Sequence, residues 1–450
     1  MSSGLALETE GAQGGRWKRY PAYKDSGVEW LGAVPEGWEV LPLKWLGGFQ
    51  AGAGFPEAEQ GIEDEELPFY KVSDMNLKGN EIFMKVHNNS VSRETATNLR
   101  AHILPPETII FAKVGAALLL NRRRILTTPS CIDNNTMGFT KGSCDLKWLY
   151  YWMCGIDLGE LANPGAVPAV NESQMQRLYV PVPTLPEQRA IAAFLDRETG
   201  RIDALIAKKE RQIELLREKR AALISHAVTK GLDPDAPMKD SGVEWLGAVP
   251  EGWEVMKLRR ICRVQQGLQI AQANRYAEPG PNRFEYITVK SIHADDTLIS
   301  KEYIEKPPQS VLCASDDILL ARTGATGEVF SDQIGVFHNN FFKVIYDRKL
   351  VDKNYLIYYL SDITIKKHLI MLAGTTTIPD LNHGDFLDMP FSYPSFGEQK
   401  NIVTFLDRET ARITNPTNKI RESITKLHEY RTALISAAVT GKIDVRGEET

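Results

Sequence analysis

Apolar residues between positions 187 and 230 recur at helical spacing. Leu195, Ile202, Leu216 and Leu223 stand seven or fourteen positions apart, and a second track runs through Ile206 and Ile213. The residues between them are charged, as in "AKKERQ" and "LREKR", and the segment holds no proline and a single glycine, Gly200. A heptad stripe with solvated flanks predicts a long helix that buries one edge against another helix. The forty-four residues from 187 to 230 would span about 66 Å at 1.5 Å per residue. Ile402, Phe405, Leu406, Ile413, Ile420, Ile424, Leu427, Leu434 and Ile435 repeat most of this stripe at an offset of 211 positions. Pro416 interrupts the second stripe. Its ring clashes with the carbonyl four residues back, at ~3 kcal/mol inside a helix, and it steers Asn415 away from the α region. A kink or break is therefore expected near 414–416, with pairing resumed from Ile420. Neither stripe is stable alone. Antiparallel pairing would relate the two halves by an approximate two-fold axis and send the intervening regions to opposite ends. The simpler alternative packs each helix on its own domain.

Outside the stripes the pattern is shorter in period. Residues 41–185 and 256–396 hold brief β-rich runs punctuated by Gly and Pro, with helical patches such as "LKWLYYWM" (146–153). This predicts a mixed α/β domain in each half, each large enough to bury its own core. The halves are copies. "KDSGVEWLGAVPEGWEV" stands at 24–40 and again, letter for letter, at 239–255. "EQRAIAAFLDRETGRI" from Glu187 matches "EQKNIVTFLDRETARI" from Glu398, and "LREKRAALISHAVTKGLD" (216–233) matches "LHEYRTALISAAVTGKID" (427–444). Two copies make an internal duplication, not a solenoid. The intervening regions keep only a faint skeleton. Leu43 and Gly52 fall on Leu258 and Gly267, "PFYKVSDMN" (68–76) on "FEYITVKSI" (284–292), and "IIFAKVGA" (109–116) on "ILLARTGA" (318–325). "DNN" (133–135) falls on "HNN" (338–340), and "VPAVN" (167–171) on "IPDLN" (378–382). Uneven drift after duplication is one account. A constant frame displaying two different readers is the sharper one.

Composition narrows the class. Hydrophobic content of 43% and charged content of 25% over 450 residues suit a soluble protein of several domains. The first residues, "MSSGLALETEGAQGG", read as a loose tail and not as a secretory signal, and no apolar run is long enough to span a membrane. Cys131, Cys144, Cys154, Cys262 and Cys313 form no CxxC pair. They read as buried, reduced thiols of a cytoplasmic protein, with no metal site. A net charge of −5 argues against indiscriminate coating of nucleic acid, but allows a reader with a basic face. No phosphate-cradling G-x-x-x-x-G-K-[ST], no (D/N)PP(Y/F) methyltransferase motif and no nucleophile grouping is present. "EDEE" (63–66) reads as a solvated charge run.

The repeated boundary motif, including "YPAYKDSGVEWLGAVPEGWEV", and the helical motif "LPEQRAIAAFLDRETGRIDALIAKKERQIELLREKRAALISHAVTKGLD" resemble the DNA-specificity (S) subunit of type I restriction–modification systems. The resemblance covers nearly the whole chain after about residue 17. It implies an α+β fold: two mixed α/β target-recognition domains separated by a long antiparallel two-helix coiled coil, in an internal pseudo-two-fold repeat. The expected divisions are a flexible tail (1–23), a first recognition domain with its boundary motif (24–185) and a first helical spacer (186–233). A second recognition domain (239–396) and a second spacer (397–444) follow. The resemblance also implies a non-catalytic chain that binds double-stranded DNA at a two-part site. Methylation subunits, two of them, would dock on the helices, and restriction subunits would join that complex. S-adenosylmethionine, ATP and Mg²⁺ would then belong to those partners, with no cofactor or metal in this chain. A helix of about 66 Å matches about two turns of B-DNA. The repeated stretch would be the joint between helix and reader, with Trp38 and Trp253 as buried anchors and Pro35 and Pro250 as rigid turns.

Arg grips guanine with two hydrogen bonds, Asn does the same for adenine, and Lys and Arg hold phosphates. The skeleton aligns Lys113 with Arg322, just before the matched Gly115 and Gly324. Further DNA-binding candidates are Arg122, Arg123, Arg124, Asn134 and Asn135 in the first half, and Arg275, Lys290, Asn339 and Asn340 in the second. For each, a solvated charge or a turn-forming amide is the plainer alternative. Two other classes remain open: a protein-binding scaffold and a self-contained methyltransferase or nuclease.

Overall fold

The computed structural model describes residues 17–163, 165, 167–293, 301–374 and 379–447. Residues 1–16 of the expected tail, and Ile378 of the "IPDLN" match, lie outside the described residues. The chain forms two compact units. One contains the chain up to Lys208 together with residues from Glu422 onward; the other is Lys209–Arg421.

In the first unit a hairpin of Tyr23–Asp25 and Ala33–Pro35 carries the boundary motif. Glu39–Pro42 then pairs antiparallel with Tyr179–Val182, which closes the neck of the recognition region. Inside the neck stands a five-stranded sheet in the order Gly47–Ala51, Thr136–Lys141, Thr108–Ala112, Arg123–Leu126, Phe83–Met84. Thr108–Ala112 is buried along its whole length. A smaller sheet pairs Leu67–Tyr70 in parallel with Cys131–Ile132 and antiparallel with Ser90–Val91. The second unit repeats the plan. Its hairpin is Met238–Asp240 with Ala248–Pro250, and its neck is Glu254–Lys257 with Pro390–Tyr393. Its main sheet runs Cys262–Gln266, Phe341–Tyr346, Ile318–Ala321, Val329–Phe330, the order of the first without the last strand. The second unit's smaller sheet has four strands, with Arg283–Ile287 parallel to Gly335–Phe337 at its centre.

Both long helices form. The first is Leu185–Lys230 and the second Phe396–Val439. Pro186 stands in the first turn, where its missing N–H has no helical partner to lose. Ser395 caps the second helix by accepting from the Glu398 amide (3.3 Å). The break expected near 414–416 does not occur: the helix continues through Pro416. Only one amide donor is lost, and the next residue, Thr417, is buried with its hydroxyl on the Ile413 carbonyl at 2.8 Å. Each helix begins in the core of its own recognition region and ends in that of the other, packing on the other helix as it does so. In the first unit Ile191, Phe194, Leu195, Ile202 and Ile206 share one core with Trp148, Trp152, Leu434, Ile435 and Val439. The chains run antiparallel there, with Asp203 paired to Arg431 (2.9 Å) and Glu187 near Arg446 (3.8 Å). In the second unit Ile224, Ala227 and Val228 share a core with Tyr355, Tyr359, Ile402, Val403 and Leu406.

The described part of the expected tail is not loose: Trp17 lies edge-on to Phe194 (4.8 Å), Asp444 donates its amide to the Lys18 carbonyl (2.8 Å), and the buried Tyr20 donates to Glu187 (2.7 Å). Four cysteines are buried, Cys154 is half-buried, and all are free thiols. Among the described residues no helix is long and apolar enough to cross a membrane.

Candidate nucleic-acid interface

The long helices end in glycines with left-handed backbone, Gly231 (φ 78°) and Gly441 (φ 71°), the conformation that caps a helix most cheaply with Gly. Each glycine lies under the proline and tryptophan of a boundary motif. A Cβ on Gly441 would overlap the Pro35 ring and come within 3.2 Å of Trp38; one on Gly231 would touch Trp253 at 3.4 Å and Pro250 at 3.6 Å. A neighbouring lysine then ties down the hairpin. Lys442 Nζ donates to the Leu31 (3.0 Å) and Ala33 (2.6 Å) carbonyls, and Lys230 Nζ to those of Leu246 (3.1 Å) and Ala248. Burial lowers the pKa of both lysines. Trp38 and Trp253 are buried, each at the end of a turn closed on its proline.

A second duplicated bracket joins helix to reader. Gln188 accepts from the Asp145 amide (2.7 Å) and donates to the Pro183 carbonyl (3.0 Å); Gln399 accepts from Asp352 (2.8 Å) and donates to Pro394 (3.0 Å). Tyr151 donates to Asp196 (2.6 Å), and Tyr358 to Asp407 (2.7 Å).

The skeleton residues meet at the far end of each main sheet. Lys113 follows the strand Thr108–Ala112; its amide donates to the Asn135 carbonyl (2.8 Å), and its carbonyl accepts from Val170 (2.9 Å). Arg322 follows Ile318–Ala321 in the same way, donating to Asn340 (2.8 Å) and accepting from Leu381 (3.0 Å). Gly115 (φ 78°) and Gly324 (φ 81°) turn the chain two residues on. Both Asn pairs sit centrally in tight turns, closed by Thr136 on Asp133 and by Phe341 on His338, each at 3.0 Å. The matched glycines lie against these turns. A Cβ on Gly52 would stand 2.0 Å from the Asp133 carbonyl oxygen, and one on Gly267 2.3 Å from that of His338. In each unit, then, a cation, two asparagines and a glycine turn share one ridge.

Residues 35–215 and 250–426 match the family model of the type I restriction modification DNA specificity domain, and each match holds one of these ridges. The chain belongs to this family. It is similar to the type I restriction enzyme MjaVIII specificity subunit of Methanocaldococcus jannaschii, at 25% identity over 62% of this chain. That match spans 65% of the MjaVIII subunit, less than two thirds of its length. It is also similar to the MjaIX specificity subunit of that organism, at 22% identity over 92% of this chain and 95% of the relative. The EcoBI specificity subunit of Escherichia coli is 21% identical over 93% of this chain and 89% of its own. A solved chain from work on complex assembly and conformational transition of the type I R-M system shares the fold. Its TM-score is 0.67 at 14% identity, covering 92% of this chain and 99% of that one.

Within these specificity domains, the candidates read from sequence divide in two. Lys113, Asn134, Asn135, Arg322, Asn339 and Asn340 converge on the ridges. Asn134 and Asn135 are exposed, and Asn339 donates to Gln269 (3.2 Å). The "RRR" run does not form one basic cluster. It enters the strand Arg123–Leu126, where successive side chains take opposite faces. Arg123 is 1% exposed and donates to Asn121 (3.2 Å) and to the Ile156 carbonyl (2.5 Å). Arg124 donates to the Arg123 and Met75 carbonyls (2.8 and 2.9 Å). Burial lowers the pKa of both, and both serve as internal ties. Arg122 is half-buried and makes no side-chain bond among the described residues. Arg275 is also occupied, with Nε and Nη2 on the Ile270 carbonyl and Nη1 on Glu302 (2.9 Å), across the Tyr286 ring. Lys290 is exposed on the short helix Val289–His293, whose first residue, Val289, lies beside the ridge glycine Gly324. Sequence reading passed over Asp380. Its signal was one position inside a matched pentapeptide, where "VPAVN" has Ala169 and "IPDLN" has Asp380.

Proposed function

We propose that this chain is the non-catalytic DNA-specificity subunit of a type I restriction–modification complex. Each unit reads one half of a two-part duplex site, and the ridges of Lys113 and Arg322 face the DNA. The two long helices act as an antiparallel coiled coil that sets the gap between half-sites, a role supported by the unbroken course of each helix. Two methylation subunits dock on this frame and restriction subunits join through them, in the cytoplasm. The relatives' names as specificity subunits of type I restriction enzymes support this assignment. S-adenosylmethionine, ATP and Mg²⁺ belong to those partners in this reading.

The observation that carries the proposal is the pairing of near-identical joints with ridges that differ in their side chains. A specificity subunit needs that division, because the frame must be the same at both ends while the sequences read differ. Sequencing of modified bases in genomic DNA, with the gene intact and deleted, tests it. The expected result is a methylated motif with two defined parts and an unread gap, lost on deletion. Methylation unchanged by deletion, or a motif in one uninterrupted block, contradicts it.

A further inference from the structure

We propose that Arg322, braced by Asp380, reads a guanine in the second half-site, whereas Lys113 holds a backbone phosphate in the first. This rests on the DNA-specificity reading above and assigns roles within it. The backbone around the two cations is the same, as the shared hydrogen bonds of Lys113 and Arg322 show. The side chains are not. Both carboxylate oxygens of Asp380 lie on Arg322 Nη2, at 2.6 and 2.7 Å. The Phe342 ring lies 5.4 Å from the guanidinium carbon, and Nε is buried with no hydrogen-bond partner among the described residues. The guanidinium plane is thus fixed from three sides, with the Nη1 edge left as donor. At the equivalent place in the first unit stands Ala169, and Lys113 has no side-chain partner among the described residues.

Charge and shape separate the two roles. An exposed carboxylate beside Arg322 cancels its charge and repels a phosphate, so the pair is a poor grip on the backbone. It is a better reader, because Nη1 donors held in one orientation suit an acceptor at a fixed place, such as the O6 or N7 of guanine. A lone ammonium on a flexible stem has the opposite merits: it follows a phosphate without demanding an orientation. Asp380 is therefore a positioning residue, and Arg322 the specificity-determining one.

The test is selection of bound duplexes from a random pool by the full-length chain purified with its partner subunits. Wild type is compared with Arg322→Lys, Asp380→Asn and Lys113→Gln. Arg322→Lys and Asp380→Asn are expected to lose a G·C preference at one position of one half-site, by about tenfold or more, with the other half unchanged. Lys113→Gln is expected to keep every base preference, weaken all duplexes alike and flatten the salt slope by about one. Arg322→Lys keeps the ion pair, so it decides the matter even if Asp380→Asn lowers stability. If Arg322→Lys retains every base preference, the assignment is overturned. If wild type selects no two-part motif, the DNA-specificity reading itself falls, which is a different failure.

Discussion

The joints and the ridges of this molecule were duplicated together and have fared differently. At the joints the two units agree almost atom for atom. Gln188 and Gln399 bridge equivalent pairs of backbone groups, Tyr151 and Tyr358 reach the equivalent aspartates Asp196 and Asp407, and Lys442 and Lys230 clamp equivalent hairpin carbonyls. The lysines do so although the local order is "GK" in one copy and "KG" in the other. At the ridges the backbone is kept while the side chains change: Lys113 with Ala169, Arg322 with Asp380. Constancy of geometry with change of chemistry at the tips is what a frame for interchangeable readers requires. One joint differs. Trp253 donates to Glu398 (2.9 Å), whereas Tyr20 and Arg446 approach Glu187, and the buried Trp38 indole N–H has no partner among the described residues.

That difference can be put under strain. Trp38→Ala and Trp253→Ala should each destabilise their own unit by about 3–5 kcal/mol, the range for large aromatic truncations in cores. The second should cost more, since it also strands Glu398; denaturant unfolding of the two variants checks this order. Gly52→Ala and Gly267→Ala should each cost about 1–3 kcal/mol or more, because a Cβ there would press on the turn that carries the Asn pair. Selective loss of base preference in one half-site, read from selected duplexes, would place the damage at that ridge. Gln188→Ala and Gln399→Ala should each cost about 1–3 kcal/mol, leaving a buried amide or carbonyl unmet. The two losses should agree closely, and a large inequality would break the claim that the joints are equivalent.

Much of the architecture could be read from the residues. The heptad stripe through Leu195, Ile202, Ile206 and Ile213 marked the first helix because side-chain burial at a helix–helix seam imposes a period. The matched Gly52 and Gly267 were legible only as an alignment; the close approach that only a missing Cβ fits is seen in the structure. Local rules failed where tertiary context outweighed them. Pro416 stays inside a helix because the flanking Ile413, Thr417 and Ile420 are buried on its seam, and that burial exceeds the loss of one donor. The "RRR" run misled because charge counts ignore strand alternation, which turned Arg123 inward. Tyr20 and its neighbours read as tail in the sequence because their partners, Glu187 and Asp444, lie far along the chain.

The measurement that bears most directly on a constant frame with exchangeable readers is a transplant. The neck of the first unit closes where Leu43 bonds Leu178 (2.8 Å), and that of the second where Leu258 bonds Met389 (2.9 Å). Residues 43–178 would be replaced by 258–389, so that both frames carry the second reader, and the recognised motif read from methylated genomic DNA. The account predicts the second half-site twice, as an inverted repeat with the original gap. A folded chimera that keeps the original two unlike halves, or that recognises a site in which the first half persists, would contradict it.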